Sequence, residues 1–147
     1  MSVSQQVAKD LMAAMKNKEK EKLEALRALK TAFTLAKTSS TSELSNDEEL
    51  KIVQKLVKQR KDSAQEYVAQ NRQELADVEL QEAEIISCYL PQQLSEDEIA
   101  VIVDKTIADT GAEGMKDMGK VMGVVTKELA GKADGKLISE IVKSRLI

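Results

Sequence analysis

The feature that most constrains the fold of this chain is the distribution of its helix-breaking residues. The 147 residues include one proline, Pro91, and six glycines, none of which precedes Gly111. Because proline and glycine interrupt helices most strongly, their absence permits long helices over the first ninety residues. No segment shows the period-two alternation of a strand. We therefore predict an all-α fold, with long helices before Pro91 and turn-separated helices after Gly111.

Apolar residues spaced three and four apart, together with helix caps, predict seven helices. We expect them at residues 4–15, 20–37, 46–70, 72–89, 96–110, 116–130 and 135–147. Capping boxes predict the starts that follow Ser45, Asn71 and Ser95. Asn17 and Gly111 are expected to end helices, since asparagine and glycine are favoured there.

Pro91 divides the chain into two predicted domains. The proline disfavours helical geometry at Leu90, and the capping box at Ser95 restarts the helix. Residues 1–90 are expected to form an N-terminal four-helix domain, and residues 95–147 a small three-helix C-terminal domain. The polar stretch 38–42 is predicted to be a loop.

Composition excludes several classes of function. Histidine is absent, which removes Ser-His-Asp and Cys-His nucleophile systems and nearly all zinc chemistry. The one cysteine, Cys88, has no neighbour in sequence that would activate it, and a single cysteine fits a reducing cytoplasm. No apolar run approaches the roughly 18 residues of a membrane span. We predict no catalytic residue, no metal, no cofactor and no membrane partner.

The net charge of −3 conceals a separation of basic and acidic segments. Residues 51–61 contain five bases and no acid, whereas residues 62–86 contain seven acids and one base. The low pI argues against a general nucleic-acid binder, and DNA is not expected as a partner. On a wheel of the third helix Arg60 falls inside the apolar stripe, so it must snorkel, pair with a carboxylate or face a second molecule.

A secondary basic face lies opposite that apolar stripe. Its members are Lys51, Lys55 and Lys58. We expect this face either to meet a polyanion or to pair with the protein's own acidic fourth helix.

The sixth predicted helix carries the most informative surface. Its apolar stripe is complete without glycine, yet glycines and lysines share the opposite side: Lys116, Gly119, Lys120, Gly123 and Lys127. A glycine inside a helix costs about 0.8–1 kcal/mol relative to alanine. Two of them on one exposed face indicate close approach, either by another surface such as a sugar-phosphate backbone or by a neighbouring helix of the same fold.

The turn after this helix, Gly131-Lys132-Ala133-Asp134-Gly135-Lys136, is predicted to lead into the last helix. Asp134 is its expected N-cap, with a side chain that occupies the free N–H groups. The spacing is not that of a phosphate-binding loop. Because aromatic residues are scarce, any RNA partner is expected to be a folded RNA that is bound through its phosphates.

The residues at several positions closely resemble the GatB/YqeY family. The likeness is carried by Tyr89-Leu90-Pro91-Gln92-Gln93-Leu94-Ser95, by residues 117–123 and 131–135, and by Met15-Lys16-Asn17-Lys18 and Lys58-Gln59-Arg60-Lys61. The C-terminal part is similar to the tail domain of the B subunit of the tRNA-dependent amidotransferase. The resemblance implies an all-helical fold in two parts.

The resemblance also implies a function. It points to a non-catalytic, tRNA-binding accessory module linked to a tRNA-dependent amidotransferase or to aminoacyl-tRNA synthesis. The expected partners are tRNA and an aminoacyl-tRNA synthetase or amidotransferase. The residues that would hold RNA are Lys116, Gly119, Lys120, Gly123, Lys127 and Lys132. The alternative is a helical protein–protein interaction module with no RNA role.

The family is associated with carbon–nitrogen ligase activity that uses glutamine as the amido donor. This chain has no Ser-Ser-Lys amidase signature, no Cys-His glutaminase pair and no nucleotide loop. Its residue inventory therefore predicts an accessory module rather than the catalyst.

Overall fold

The chain forms seven α-helices and no strand over residues 1–40 and 42–147, which the computed structural model of the protein describes. The helices are α1 (Val3–Lys16), α2 (Lys20–Thr38), α3 (Asn46–Ala69), α4 (Gln73–Ser87), α5 (Glu96–Thr110), α6 (Met118–Glu128) and α7 (Gly135–Leu146). A 3-10 turn (Met115–Asp117) precedes α6. The predicted all-α class is confirmed. Thr41, in the predicted loop 38–42, lies outside the described residues.

Contacts divide the chain into two compact units, Met1–Leu90 and Pro91–Ile147. The first unit contains α1 to α4, of which α3 and α4 share the most extensive contact, and α2 packs on both α1 and α4. Its core is almost wholly aliphatic: Val7, Leu11, Ala14, Ala25, Leu26, Leu29, Phe33, Val53, Val57, Ala83 and Ile86. Burying these stripes leaves the charged faces of the same helices in solvent.

Serine caps determine where three of the helices begin. Ser45 accepts a hydrogen bond from the Glu48 N–H, and Ser95 forms a reciprocal capping box with Glu98, so both predicted starts are confirmed. Ser2 forms the same kind of box with Gln5, which starts α1 earlier than the predicted residue 4.

The predicted capping box at Asn71 is wrong. Asn71 adopts a left-handed conformation, with φ of 59°, and α4 begins after Arg72 without a side-chain cap. The N–H groups of Asn71 and Arg72 bond back to the carbonyls of Val68 and Tyr67. Asparagine tolerates positive φ, so Asn71 ends α3 instead of starting α4.

The second unit packs α5, α6 and α7 around a separate aliphatic core. Its buried members are Ile99, Val103, Val121, Val125, Leu129, Ala133, Ile138, Val142 and Leu146. Gly111 ends α5 at φ of 69°, as predicted. The segment before α5 is attached to the α6–α7 turn, because Gln93 Nε2 donates to the Gly131 carbonyl at 2.7 Å and the Leu94 N–H donates to the Lys132 carbonyl at 3.0 Å.

Arg60 pairs with a carboxylate, which was one of the three outcomes left open by its position in an apolar stripe. Its Nε lies 3.3 Å from Glu82 Oε2 on α4, and the two side chains are only 18% and 21% exposed. This ion pair links the two helices of the first unit that pack most closely. Leaving either charge without its partner at this depth would be unfavourable.

We expect Arg60→Ala to lower the free energy of unfolding of the first unit by about 1–2 kcal/mol, because it leaves the mostly buried carboxylate of Glu82 unpaired. The matched control is Arg72→Ala, which breaks the exposed Arg72–Glu74 pair and should change stability by less than about 0.5 kcal/mol. Both tyrosines, Tyr67 and Tyr89, lie in this unit, so tyrosine emission during urea unfolding reports on it alone. Equal effects of the two substitutions would contradict the structural role of Arg60.

Tyr89 closes the first unit by donating its hydroxyl hydrogen to Asp10 of α1, with an O–O distance of 2.5 Å. Burial raises the pKa of the Tyr89 phenol above its ordinary value of 10.0. The hydrogen bond to Asp10 and the negative charge of Asp10 raise this pKa further, with smaller effects than burial. The neutral phenol is therefore the form that the folded unit favours.

In a Tyr67→Phe background, the phenolate absorbance of Tyr89 should appear at higher pH than in the unfolded chain. Stability from this contact is fully present below the ordinary pKa and is lost as the pH rises through the raised folded-state pKa. Adding Asp10→Asn should move the absorbance transition to lower pH. An unchanged transition would show that Asp10 does not act on Tyr89.

Candidate functional site

One side of α6, continued into the preceding 3-10 turn, is exposed and carries the residues predicted to contact RNA. We call it the α6 face: Lys116, Gly119, Lys120, Gly123 and Lys127, all of which are at least partly exposed. The opposite side of the helix contributes Val121, Val125 and Leu129 to the core, and Met118 and Met122 pack against it. The aliphatic stripe alone is therefore enough to fix which side of α6 faces outward.

The two glycines of the α6 face are covered by no part of the described chain. A Cβ atom built on Gly119 or Gly123 would meet nothing within 4 Å outside the helix backbone. Neither glycine has the positive φ that would favour glycine, since those with positive φ are Gly111 and Gly131. Packing by a neighbouring helix thus does not account for them within residues 1–40 and 42–147. The face has a shallow, side-chain-free strip instead.

The lysines of this region fall into two groups. Lys120 Nζ donates to the Thr110 carbonyl at 3.2 Å, where it satisfies the end of α5, and Lys116 lies 3.8 Å from Glu113 in an exposed ion pair. In the described parts of the chain, Lys127 and Lys132 make no ion pair. Lys127 and Lys132 are therefore the lysines of this region whose positive charge is most available to an anion.

The structure corrects two details of the predicted site. Lys116 belongs to the 3-10 turn and not to the sixth helix, because Asp117 Oδ2 accepts the Glu113 N–H at 2.9 Å and closes a separate turn there. Asp134 occupies the N-cap position of α7, as predicted, but its side chain makes no capping hydrogen bond. Lys132 is exposed in this turn, outside α6.

Lys51, Lys55 and Lys58 lie on the exposed side of α3, opposite the buried Val53 and Val57. They belong to the first unit, whereas the α6 face belongs to the second. Among the described residues Arg60 is the one base of α3 with an ion pair, and its partner is Glu82. Pairing with the acidic fourth helix, one of the two explanations left open, therefore does not account for these three lysines.

Three structural contacts near the candidate sites were missed from sequence. Lys120 stabilises the end of α5, and Gln93 attaches the segment after Pro91 to the α6–α7 turn. Glu49, which is 3% exposed, accepts the Ser4 N–H at the start of α1 at 3.2 Å. A side chain that bonds a distant main-chain group has no local sequence signal. The Ser2–Gln5 capping box did have one, in the spacing of Ser2 and Gln5.

In residues 1–40 and 42–147, no three His, Cys, Asp or Glu side chains are grouped so that they would hold a metal ion. Over the same residues, no helix combines the length and the apolar character needed to cross a membrane.

Comparison with known proteins relates the chain to a family and to a subunit of a larger enzyme. The model of the family described as "Yqey-like protein" matches residues 4–146. Part of the chain is 39% identical over 57 residues to the E subunit of the glutamyl-tRNA(Gln) amidotransferase of Thermococcus gammatolerans. That match covers 36% of this chain and 9% of the relative, so the chain spans only a small part of its relative's length.

Gly123 lies open in the interior of α6, so Gly123→Ala should raise the free energy of unfolding by about 0.5–1 kcal/mol. Gly119 is also open but lies in the first turn of α6, so Gly119→Ala should raise it by a smaller amount. The control is Gly111→Ala, which forces a methyl group onto a residue with φ of 69° and should destabilise the protein. Thermal unfolding followed by circular dichroism provides the measurement. A loss of stability at positions 119 and 123 would mean that the face is covered.

Proposed function

This chain belongs to the YqeY-like protein family, and we propose that it is a non-catalytic, RNA-binding accessory module for tRNA-dependent amide transfer or aminoacyl-tRNA synthesis. In this proposal the α6 face and Lys132 hold the phosphate backbone of tRNA. The protein partner would be an amidotransferase or an aminoacyl-tRNA synthetase.

The observation that carries the proposal is the open glycine strip between lysines. Each glycine lowers helix stability relative to alanine, and no intramolecular contact within the described residues repays that loss. A partner that lies flush on the helix gives the glycines a purpose, since a methyl group would hold it away. A sugar-phosphate backbone suits such a surface, because the flanking lysines supply charge where the glycines allow close approach.

The relative supports the amide-transfer context. Its name describes part of an amidotransferase for glutamyl-tRNA(Gln), and the shared region is a short segment of that much longer chain. A short shared segment of this kind fits an accessory unit better than a complete enzyme. The absence of histidine from the sequence supports the same conclusion, because it removes the usual general base for a serine or cysteine nucleophile.

A protein–protein module is the second candidate function. Met115 and Val124 are 44% and 45% exposed, and both lie close to the α6 face in sequence. Exposed methionine and valine beside a glycine strip would suit the apolar side of a partner helix. The affinity for an RNA partner should depend more steeply on salt and on lysine charge than the affinity for a protein partner, and this difference distinguishes the two candidate functions.

We expect the 147-residue chain to bind bulk tRNA with an affinity that falls steeply as the salt concentration rises. Lys127→Gln combined with Lys132→Gln should weaken binding and reduce the slope of log K against log salt by about 1–2, roughly one unit for each phosphate contact. The charge-matched control replaces Lys105 and Lys143, exposed lysines of α5 and α7, with glutamine. Fluorescence anisotropy across a salt series gives both affinity and slope.

The glycine variants test the same proposal independently of charge. Gly119→Ala with Gly123→Ala should weaken tRNA binding even though it stabilises the fold, because two methyl groups separate the helix from the backbone. Gly135→Ala adds a methyl group at the start of α7 and should leave binding unchanged. If this protein binds tRNA no more tightly than albumin binds tRNA at low salt, the RNA role is refuted. A stoichiometric protein partner purified without RNA would favour the second candidate.

A further inference from the structure

A row of three lysines on α3 has no ion-pair partner in the described parts of the protein. Lys51, Lys55 and Lys58 are spaced four and three residues apart, so they follow one side of the helix for about 10.5 Å. We call them the α3 lysine row. The buried residues of α3 occupy the other side: Glu49, Leu50, Val53, Val57 and Ala64.

The row is unpaired although carboxylates are close in sequence. Helix α4 carries five acidic residues between Glu74 and Glu84, but it packs on the apolar side of α3, which the lysine row faces away from. Asp47 and Asp62 lie four residues from Lys51 and Lys58, yet no ion pair joins them in residues 1–40 and 42–147. The charge of the row is thus available to an external anion.

The surroundings of the row indicate what kind of partner it fits. Every exposed residue of α3 from Asn46 to Glu66 is polar or charged. Protein–protein interfaces have cores enriched in aromatic residues and methionine and depleted in lysine. Peripheral membrane helices likewise need an apolar face beside the basic one. Ile52 and Leu56 beside the row are partly buried against the core, and the exposed Val68 lies ten residues beyond Lys58. A row of lysines whose exposed neighbours are polar or charged attracts a partner mainly through charge and hydrogen bonds, which suits a chain of phosphates.

We propose that the α3 lysine row is a second RNA-backbone contact, contributed by the first unit separately from the α6 face. The proposal deepens the proposed function and rests on it for the choice of RNA as the polyanion. Asp47 and Asp62 lie beyond the two ends of the row, each about 6 Å further along the axis. Their charge disfavours phosphates at the two ends, although the exposed Lys61 beside Asp62 partly offsets it there, so the row between them is the favoured place for an RNA strand to cross α3.

The first experiment compares two triple variants of the 147-residue chain. Replacing Lys51, Lys55 and Lys58 with glutamine should reduce the slope of log K against log salt by about 2–3, and weaken binding at about 0.1 M salt roughly ten- to a hundredfold. The control replaces Lys9, Lys16 and Lys20, which are exposed on α1 and α2 and have no ion pair among the described residues, and it changes net charge equally. Bulk tRNA and a duplex RNA of unrelated sequence are the probes.

The two triple variants distinguish a contact at the α3 lysine row from a general effect of charge. A loss confined to the α3 triple variant supports the inference, whereas equal losses in both triple variants, or no loss in the α3 variant, overturn it. The variant at Lys127 and Lys132 is measured alongside. If that variant binds RNA as tightly as the wild type while the α3 variant binds the duplex RNA more weakly, the proposed α6 interface is wrong and the lysine row is supported. If only the variant at Lys127 and Lys132 binds more weakly, the α6 interface is supported and the lysine row is wrong.

A second variant tests where the RNA crosses α3, and it is expected to increase the affinity for RNA. Removing the charge beyond one end of the row with Asp62→Asn should increase affinity about two- to threefold and leave α3 folded, because Asp62 is exposed. Glu84→Gln on α4 makes the same charge change on an exposed residue away from the row. An affinity gain of equal size for Glu84→Gln would show that net charge alone acts, and would overturn the localised contact.

Discussion

The burial of aliphatic stripes in two separate cores determines where every other group of this protein is placed. With one phenylalanine, two tyrosines and no tryptophan, the chain packs mainly with leucine, isoleucine, valine and alanine. Each stripe fixes the rotation of its helix, and the charged side of that helix then faces solvent. The α6 face and the α3 lysine row are the outward sides of helices whose inward sides have no alternative position.

A few polar contacts join helices at defined points, and each involves only one pair of groups, whereas most of the buried surface is aliphatic. Arg60 and Glu82 join α3 to α4, Tyr89 and Asp10 join the end of the first unit to α1, and Lys120 completes the end of α5. None of the described residues has a buried side-chain polar atom without a hydrogen-bond partner. Within these residues the buried polar side-chain atoms are therefore committed to contacts that hold the fold.

Lys120 shows why a residue's place on a face does not by itself give its role. Its sequence position puts it among residues predicted to contact RNA, and the structure gives its ammonium group a main-chain carbonyl. Lysine has three donor hydrogens, so it can hold this carbonyl and a phosphate together. Charge substitutions at Lys120 would disturb both α5 and any ligand, which is why Lys127 and Lys132 are the cleaner positions for testing the interface.

The sequence by itself determined the all-α class, most helix starts and the family, because glycine and proline placement, capping spacings and aliphatic periodicity are local signals. It also placed Gly119, Gly123, Lys120 and Lys127 on one side of a helix, whereas Lys116 proved to lie in the preceding 3-10 turn. It failed at Asn71, where a residue that can start a helix instead ended the one before, because both roles suit asparagine. Tertiary structure alone decided whether the glycines are covered, that Arg60 reaches Glu82, and that Lys51, Lys55 and Lys58 face away from the acidic helix. Those outcomes depend on which helices become neighbours, and residue spacing within one helix carries no information about that.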